Sequence, residues 1–563
     1  MMQDCLRSNV GARLTLQAQL HPDQLGIATP VGSHRQGTSR RYRTISLGDL
    51  DARSRAIAGG LQAMGIGPGH RIALLVRFGE DFIALVFAVL KTGATLVLVD
   101  PGMGRRNLLN CLAETRPDGF IAIPIAQAIL KAKRSLFPDT KFHVTVGRRF
   151  GILPAPSLSQ LEANGLNRFV APKTQAEDSA AIIFTTGSTG PPKGVQYTHQ
   201  TFLSQIDMIA QHYNIQPGGK DLSGFPLFGL FNAVMGTSTI LPDMDPTRPA
   251  DVDPVRLLDA IDQWQINQSF GSPALWTKVG LYCQKSQRRI ESLKLVLSAG
   301  APVPSRVLEH IRSAIHDSGQ MFTPYGATEA LPIASIESRE VLQETAQRTR
   351  QGFGTCVGKR FAQVRWKVIQ ITDLPIHTLD QARLVEPGQI GELMVCSPSV
   401  TQRYVTRTDQ NQFHKVLGLD ANGNPEIWHR MGDVGYLDNT DRFWFCGRKS
   451  HRIKTPRGPV FTEPIEAVVN THPSVYRSAL VPYGDGDCQR PVVIVEPWPE
   501  HRRDVTANVE AHKHQWLELL AAHHPGVDIE SFKIYPGRLP TDIRHNSKIF
   551  REQLAQWLKK NWD

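Results

Sequence analysis

Apolar residues recur along this chain in two rhythms, one helical and one strand-like, and their order predicts a layered α/β protein. Over residues 50–64, Ile57, Leu61 and Met64 fall on one helical face, and Gly65 with Gly67-Pro68-Gly69 supplies the stop. A short apolar run over 71–76 then reads as a strand, 81–91 as a helix, and 94–99 as a buried strand ending at Asp100-Pro101-Gly102. Residues 120–123 repeat the strand signal and 126–136 the helix, so the first third predicts an α/β domain around a largely parallel sheet. A second run of the same kind follows. Residues 182–185 form a strand entering a Gly-rich turn, 200–212 a helix, and 293–298 a strand entering Ala299-Gly300-Ala301-Pro302. From about Gly388 the helical periods fade, and short strands such as 392–396 and 442–445 alternate with Gly and Pro, which predicts a barrel-like β portion. The basic stretch 448–457 reads as an exposed connection. A small α+β unit with helices at 464–470 and 549–559 completes the chain.

Length and composition narrow the class. A chain of 563 residues is too long for one core, so two or three domains are expected. Its 41% hydrophobic and 20% charged residues are those of an ordinary globular protein. The seven cysteines (Cys5, Cys111, Cys283, Cys356, Cys396, Cys446, Cys488) are widely spaced, with no C-x-x-C pair to suggest zinc or redox chemistry, which fits a reducing cytoplasm. Asp4, Arg7, Arg13, His21 and Asp23 interrupt the region where a secretion signal needs an apolar run. The most apolar stretch, 82–99, is broken by Lys91 and Gly93 and predicts a core helix and strand rather than a membrane span. The net charge of +11 comes from scattered residues, so a solvated basic surface is expected, with no nucleic-acid partner.

The candidate chemistry begins at Thr185-Thr186-Gly187-Ser188-Thr189-Gly190-Pro191-Pro192-Lys193-Gly194, directly after an apolar strand. Glycines let backbone N–H groups turn toward an anion, hydroxyls donate to phosphate oxygens, and Lys193 adds a mobile positive charge. A Walker A loop ends in Gly-Lys-Ser/Thr, whereas this run ends Pro192-Lys193-Gly194. The run resembles the phosphate-binding loop of the adenylate-forming superfamily of acyl-CoA ligases, peptide-synthetase adenylation domains and luciferases. The resemblance extends in order across nearly the whole chain. Ser298-Ala299-Gly300-Ala301-Pro302 is similar to the family's adenine-pocket turn, which implies nucleotide contacts at Gly300, Ala301 and Pro302. Tyr325-Gly326-Ala327-Thr328-Glu329 resembles Y-G-x-T-E, which implies a ring on adenine, a Thr328 hydroxyl at the α-phosphate and magnesium at Glu329. W-H-R-M-G-D-V-G-Y-L-D over 428–438 resembles W-x-x-T-G-D-x-G-Y-x-D, which implies that Asp433 accepts from the ribose hydroxyls. Gly447-Arg448 is similar to the family's G-R, with Arg448 at ribose or phosphate. The segment 539–549, followed by Arg551, resembles P-x-T-x-x-G-K-I-x-R, with Lys548 as the lysine that meets carboxylate and α-phosphate and Ser547 in place of the usual Gly. The implied catalytic set is Lys193, Thr328, Glu329 and Lys548, with ATP and Mg²⁺. The implied architecture is an adenylation domain over 1–447 built of layered α/β subdomains plus the barrel-like β portion, a hinge and loop over 448–457 with Ser450 at the hinge position, and a small mobile α+β domain over 458–563.

Departures from the ligase pattern bear on the second half-reaction. Thioester-forming members carry K-x-x-G-x-x-I after the hinge, in a loop that lines the thiol channel. Here Lys454-Thr455-Pro456-Arg457-Gly458-Pro459-Val460 is one residue longer before its Gly and holds two prolines. The family's P-L-F-H is Pro226-Leu227-Phe228-Gly229, followed by Phe231, Met235 and Gly236, a stretch suited to lining an apolar acyl pocket. These variants resemble the β-lactone synthetases of bacterial long-chain olefin biosynthesis. That resemblance implies adenylation of a long-chain 2-alkyl-3-hydroxy acid, closure by its own 3-hydroxyl, and work beside a thiolase-like condensing enzyme, a ketone reductase and an α/β-hydrolase-like β-lactone decarboxylase. A long-chain acyl-CoA ligase, with Arg452, Lys454 and Arg457 on the CoA phosphates, is the alternative reading. A non-catalytic acyl or nucleotide sensor is the other, and it is opposed by the presence of Lys193, Glu329, Asp433, Arg448 and Lys548.

Overall fold

The computed structural model describes residues 8–32, 40–147, 155–185, 191–541 and 549–562. Unbroken apolar runs make strands that need cover on both faces. Strands of this kind build the first sheet, ordered Phe142–Thr145, Gly119–Ala122, Arg71–Leu75, Thr95–Leu98, Ser179–Phe184 and Gly194–Thr198, with every neighbouring pair parallel except the last. The helix Glu80–Lys91 is buried from Phe82 onward. Its terminal Lys91 is carried inside by pairing with Asp51 and by donating to Ser54 Oγ at 2.7 Å. Burial nevertheless pulls its pKa down to about 8.

The second sheet is longer and changes character along its width. One limb runs through Ser238–Ile240, Lys220–Ser223, Gln268–Gly271, Leu295–Ser298 and Gln320–Ala327, all parallel, as βα units require. From Ala330–Glu337 the strands turn antiparallel and continue through Thr355–Arg360, Arg442–Arg448, Pro425–Leu437, Gly391–Cys396 and Arg365–Ile369. The expected barrel-like portion is this limb, continuous with the parallel one, and it begins at Ala330, well before Gly388. The strand Gln320–Ala327 contains Pro324 and Gly326, which conceal its period.

The small C-terminal unit has a three-stranded sheet, Val475–Tyr483, Arg490–Pro497 and Ser531–Ile534. Side chains alternate across it. Leu480, Val493 and Val495 pack with Ile465, Val468, Trp516 and Leu520 of the helices Thr462–Val469 and Val509–His523. Ala479, Val481, Val492 and Ile494 pack with Leu554 and Leu558 of the helix Arg551–Lys560 on the other face. The stretch 448–457 is not the exposed connection its charge suggests. Arg448 ends a strand, a helical turn spans Lys449–His451, and Ile453–Thr455 pairs with Gly458–Val460 in a hairpin, leaving only Ser450, Pro456 and Arg457 exposed. Gly458, at φ +112°, takes the turn conformation that side chains disfavour. Gly447, at φ +136°, lets the strand Arg442–Arg448 pass against Thr462 of the C-terminal unit, where a Cβ would lie 2.5 Å from its Oγ1.

Candidate active site

In parallel sheets the loops leaving the carboxyl ends of the strands converge on a crevice. The loops after Arg71–Leu75, Thr95–Leu98, Ser179–Phe184 and Leu295–Ser298 do so here, opening a cleft of about 2260 Å³ between the two sheets. Thr185, Lys193, Gly300, Ala301, Pro302, Tyr325, Gly326, Thr328, Glu329 and Arg448 all line it, so segments separated by hundreds of residues meet at one place. Thr186, Gly187, Ser188, Thr189, Gly190 and Lys548 lie outside the described residues.

The ends of the Gly-rich loop are fastened together. Thr185 N–H donates to the Lys193 carbonyl at 3.0 Å, and Lys193 N–H donates to Thr185 Oγ1 at 3.2 Å. Opposite, Asp433 is 2% exposed and sits directly behind Tyr325 and Arg448. Tyr325 donates its hydroxyl to Asp433 Oδ2, and Arg448 Nη1 lies 2.7 Å from Oδ1. Burial pushes the Asp433 carboxyl above its ordinary range, against the pull of Arg448. Burial and then the Asp433 charge hold the Tyr325 phenol protonated. Gly326 admits no side chain, since a Cβ would lie 2.8 Å from the Ala330 carbonyl, and the Thr328 carbonyl accepts from Tyr197 Oη at 2.5 Å.

Between these walls lies a buried polar cluster that sequence reading missed. Tyr404 Oη donates to Glu329 Oε1 at 2.7 Å, and Lys193 Nζ sits over the Tyr404 ring, 4.8 Å from its centroid. Lys193 Nζ also lies 3.3 Å from His414 Nε2. Because the ammonium donates, Nε2 accepts, which leaves the imidazole proton on Nδ1, 3.4 Å from the Arg430 carbonyl. Burial, then the Lys193 charge, takes His414 down to about 3, and burial with Lys415 keeps His429 neutral as well. Lys415 donates to the Thr401 carbonyl at 2.5 Å and to Thr401 Oγ1 at 3.1 Å, while Thr401 donates back to the Glu329 carbonyl at 2.9 Å. Burial lowers the Lys415 pKa to about 7, with Glu329 opposing. Lys193 is lowered for the same reason, again with Glu329 opposing. Two lysines thus share the Glu329 carboxylate, with Asp409 also acting on Lys193. Among the described residues no three His, Cys, Asp or Glu side chains converge on a metal position. The single Glu329 carboxylate fits an ion shared with substrate phosphates, as magnesium sites commonly are.

Beyond these walls the cleft has an apolar stretch, with charged residues such as Arg77, Arg105 and Lys133 also on its lining. Phe82, Val86, Phe202, Phe228, Phe231 and Phe270 line it, and the Phe228 and Phe270 rings stack with centroids 4.6 Å apart. Phe228 and Phe231 therefore stand where an acyl pocket is expected, but Met235 and Gly236 do not. The helix Pro226–Met235 turns Met235 into the core, and Gly236 caps it in a left-handed conformation at φ +71°. No residue of the 452–460 hairpin lines the cleft. Its Arg452 pairs with Asp373 at 2.5 Å, and Lys454 Nζ lies 3.3 Å from Asp373 and 3.1 Å from Asp487.

The sequence model described as AMP-binding enzyme matches residues 17–405. The chain is 42% identical over 551 residues to an olefin β-lactone synthetase of Xanthomonas campestris pv. campestris, covering 98% of this chain and 97% of that protein. It is 43% identical over 552 residues to an olefin β-lactone synthetase of Stenotrophomonas maltophilia, covering 98% of each. Among solved structures it is similar to the O-succinylbenzoate coenzyme A synthetase (MenE) of Bacillus subtilis in complex with ATP and magnesium ion, with a TM-score of 0.70 at 19% identity, over 96% of this chain and 98% of that one.

Proposed function

This chain belongs to the AMP-binding enzyme family, and from that premise we propose that it adenylates a long-chain 2-alkyl-3-hydroxy acid with ATP and closes the product to a β-lactone. The observation that carries this reading is a single cleft with a nucleotide-suited polar end and an apolar extension, from which the 452–460 hairpin is absent. Two relatives named as olefin β-lactone synthetases, matched over nearly their full length, support the choice of product.

In the first half-reaction a carboxylate oxygen of the acid bonds to the α-phosphorus, and the bond to the pyrophosphate oxygen breaks. Anion meets anion, so the residues act by alignment and by countering charge on the phosphoryl oxygens. In this reading Tyr325 and the 300–302 turn hold adenine, Asp433 takes the ribose hydroxyls by sharing its oxygens with Tyr325 and Arg448, and Thr328 meets the α-phosphate. Lys193 steadies the departing pyrophosphate, and Lys548 bridges carboxylate and α-phosphate. Magnesium, held at Glu329, would supply further neutralisation of the triphosphate. In the second half-reaction the 3-hydroxyl oxygen bonds to the acyl carbon, the hydroxyl proton leaves, and the acyl–phosphate C–O bond breaks, with AMP taking the electron pair.

Of the three cations the acyl-CoA ligase reading would set on CoA phosphates, Arg452 and Lys454 are engaged by Asp373 and Asp487, while Arg457 is exposed and, among the described residues, has no carboxylate at ion-pair distance. The same reading sets this enzyme after a thiolase-like condensing enzyme and a ketone reductase, and before a β-lactone decarboxylase. Exchange of labelled pyrophosphate into ATP tests the adenylation step. Exchange should depend on the 3-hydroxy acid, need no CoA, and be lost in Lys548→Ala. Wild-type exchange in that variant would remove Lys548 from the reaction, and no acid-dependent exchange in the wild type would overturn the reading.

A further inference from the structure

The helix Pro124–Ala132 is oriented against expectation. A surface helix normally turns its apolar stripe inward. Here Leu130 and Ala126 face the core and Gln127 is buried, donating to the Val144 carbonyl at 2.9 Å, yet Ile125, Ala128, Ile129 and Ala132, spaced i, i+3, i+4 and i+7, all face solvent. Ile125 is 68% exposed and Ile129 41%, and Leu136 in the next turn is also 41% exposed. The charge carried by residues 119–138 is of one sign. Lys131, Lys133 and Arg134 are exposed, residues 119–138 contain no Asp or Glu, and Arg105 and Arg106 stand exposed on the neighbouring helix Arg105–Glu114. Among the described residues none of these five cations lies within ion-pair distance of a carboxylate.

This stripe is also a mouth of the cleft. Arg105, Leu108 and Leu109 on one helix, with Ile125, Ile129 and Lys133 on the other, line the same cavity as the nucleotide-suited residues. An unpaired apolar stripe with a cationic rim has the chemistry of a segment lying in the headgroup region of an anionic bilayer. Protein interfaces that meet so many like charges need complementary carboxylates, whereas anionic lipid supplies negative phosphate charge as a continuous surface.

We propose that the face formed by Pro124–Ala132 and the basic residues beside it docks on anionic lipid membrane, opening the cleft toward the bilayer. Its role as an entry for a long-chain acid or an exit for its product rests on the function proposed above. The docking itself does not, and it is measured without ATP or acid.

Sedimentation of the full chain with phosphatidylglycerol vesicles and with phosphatidylcholine vesicles provides the test. Binding to the anionic vesicles should be at least about tenfold stronger, because each lysine or arginine near such a surface contributes roughly fivefold, and it should weaken as salt is raised. Lys131→Glu/Arg134→Glu should reduce binding by at least about tenfold. Ile125→Ser/Ile129→Ser should reduce it independently by removing the apolar contact. Thermal melting at the wild-type temperature certifies the fold of each. Equal binding to both vesicles, binding to neither, unchanged binding by both variants, or capture of a protein partner on this face without vesicle binding would overturn the proposal. If vesicles bind but no lactone forms, the reaction assignment alone falls. If lactone forms without vesicle binding, the docking surface alone falls.

Discussion

At the residue scale, Lys415 shows how the cluster is charged. The ordinary pKa of 10.5 is brought to about 7 by burial. Between these values the unfolded chain holds a proton that the native chain lacks, so this group makes stability rise with pH from about 7 to 10.5, and below that window the native state keeps a costly buried charge. Lys415→Met should therefore flatten the rise, removing up to ~1.4 kcal/mol per pH unit from the slope in the middle of the window. Urea unfolding of both proteins at several pH values would measure it, and parallel curves would contradict it. Lys415 and its neighbours were not legible in the sequence. Tyr404, His414 and Lys415 carry no motif, and they reach Glu329 and Lys193 because the 403–405 segment pairs with the edge strand Gly194–Thr198 of the first sheet. The residues that were legible, from Thr185 to Arg448, lie in short runs where glycine, hydroxyl and charge sit side by side.

At the scale of elements, periodicity located six of the helices and five of the parallel strands within a few residues, because each has one face or one run to bury. Among the elements it missed are the helices Val10–Leu20, Pro254–Trp264 and Pro273–Ser286, the helix Val509–His523, whose turns carry three histidines, and the hairpin at Ile453–Val460, whose basic residues suggested solvent. The C-terminal unit also depends on a contact that no local pattern reveals. Arg551, at the start of its last helix, places Nη2 2.6 and 2.7 Å from the two oxygens of Glu466, and Glu466 Oε1 also accepts from Leu480 N–H at 2.7 Å. Removing one partner strands a buried charge. Arg551→Met should destabilise this unit by ~3–5 kcal/mol, lowering its melting temperature and increasing amide exchange across the strand Val475–Tyr483. A melting curve within a degree of wild type would show that Glu466 finds another partner.

At the scale of the whole molecule, the two sheets and the C-terminal unit enclose one cleft in which the polar end suits a nucleotide and the apolar end suits alkyl chains. Tethering then decides the second half-reaction. A hydroxyl held on the substrate reaches an effective concentration on the order of 10⁵ M or more in good geometry, and a dissolved thiol has no such advantage. The most direct measurement is product analysis with ATP, magnesium and a 2-alkyl-3-hydroxy acid, with and without CoA. The account predicts stoichiometric AMP and a β-lactone, recognised by its ring-proton NMR signals, at a rate CoA does not change. An analogue lacking the 3-hydroxyl should stop at the acyl-AMP. AMP release that requires CoA, with acyl-CoA as the main product, would contradict it.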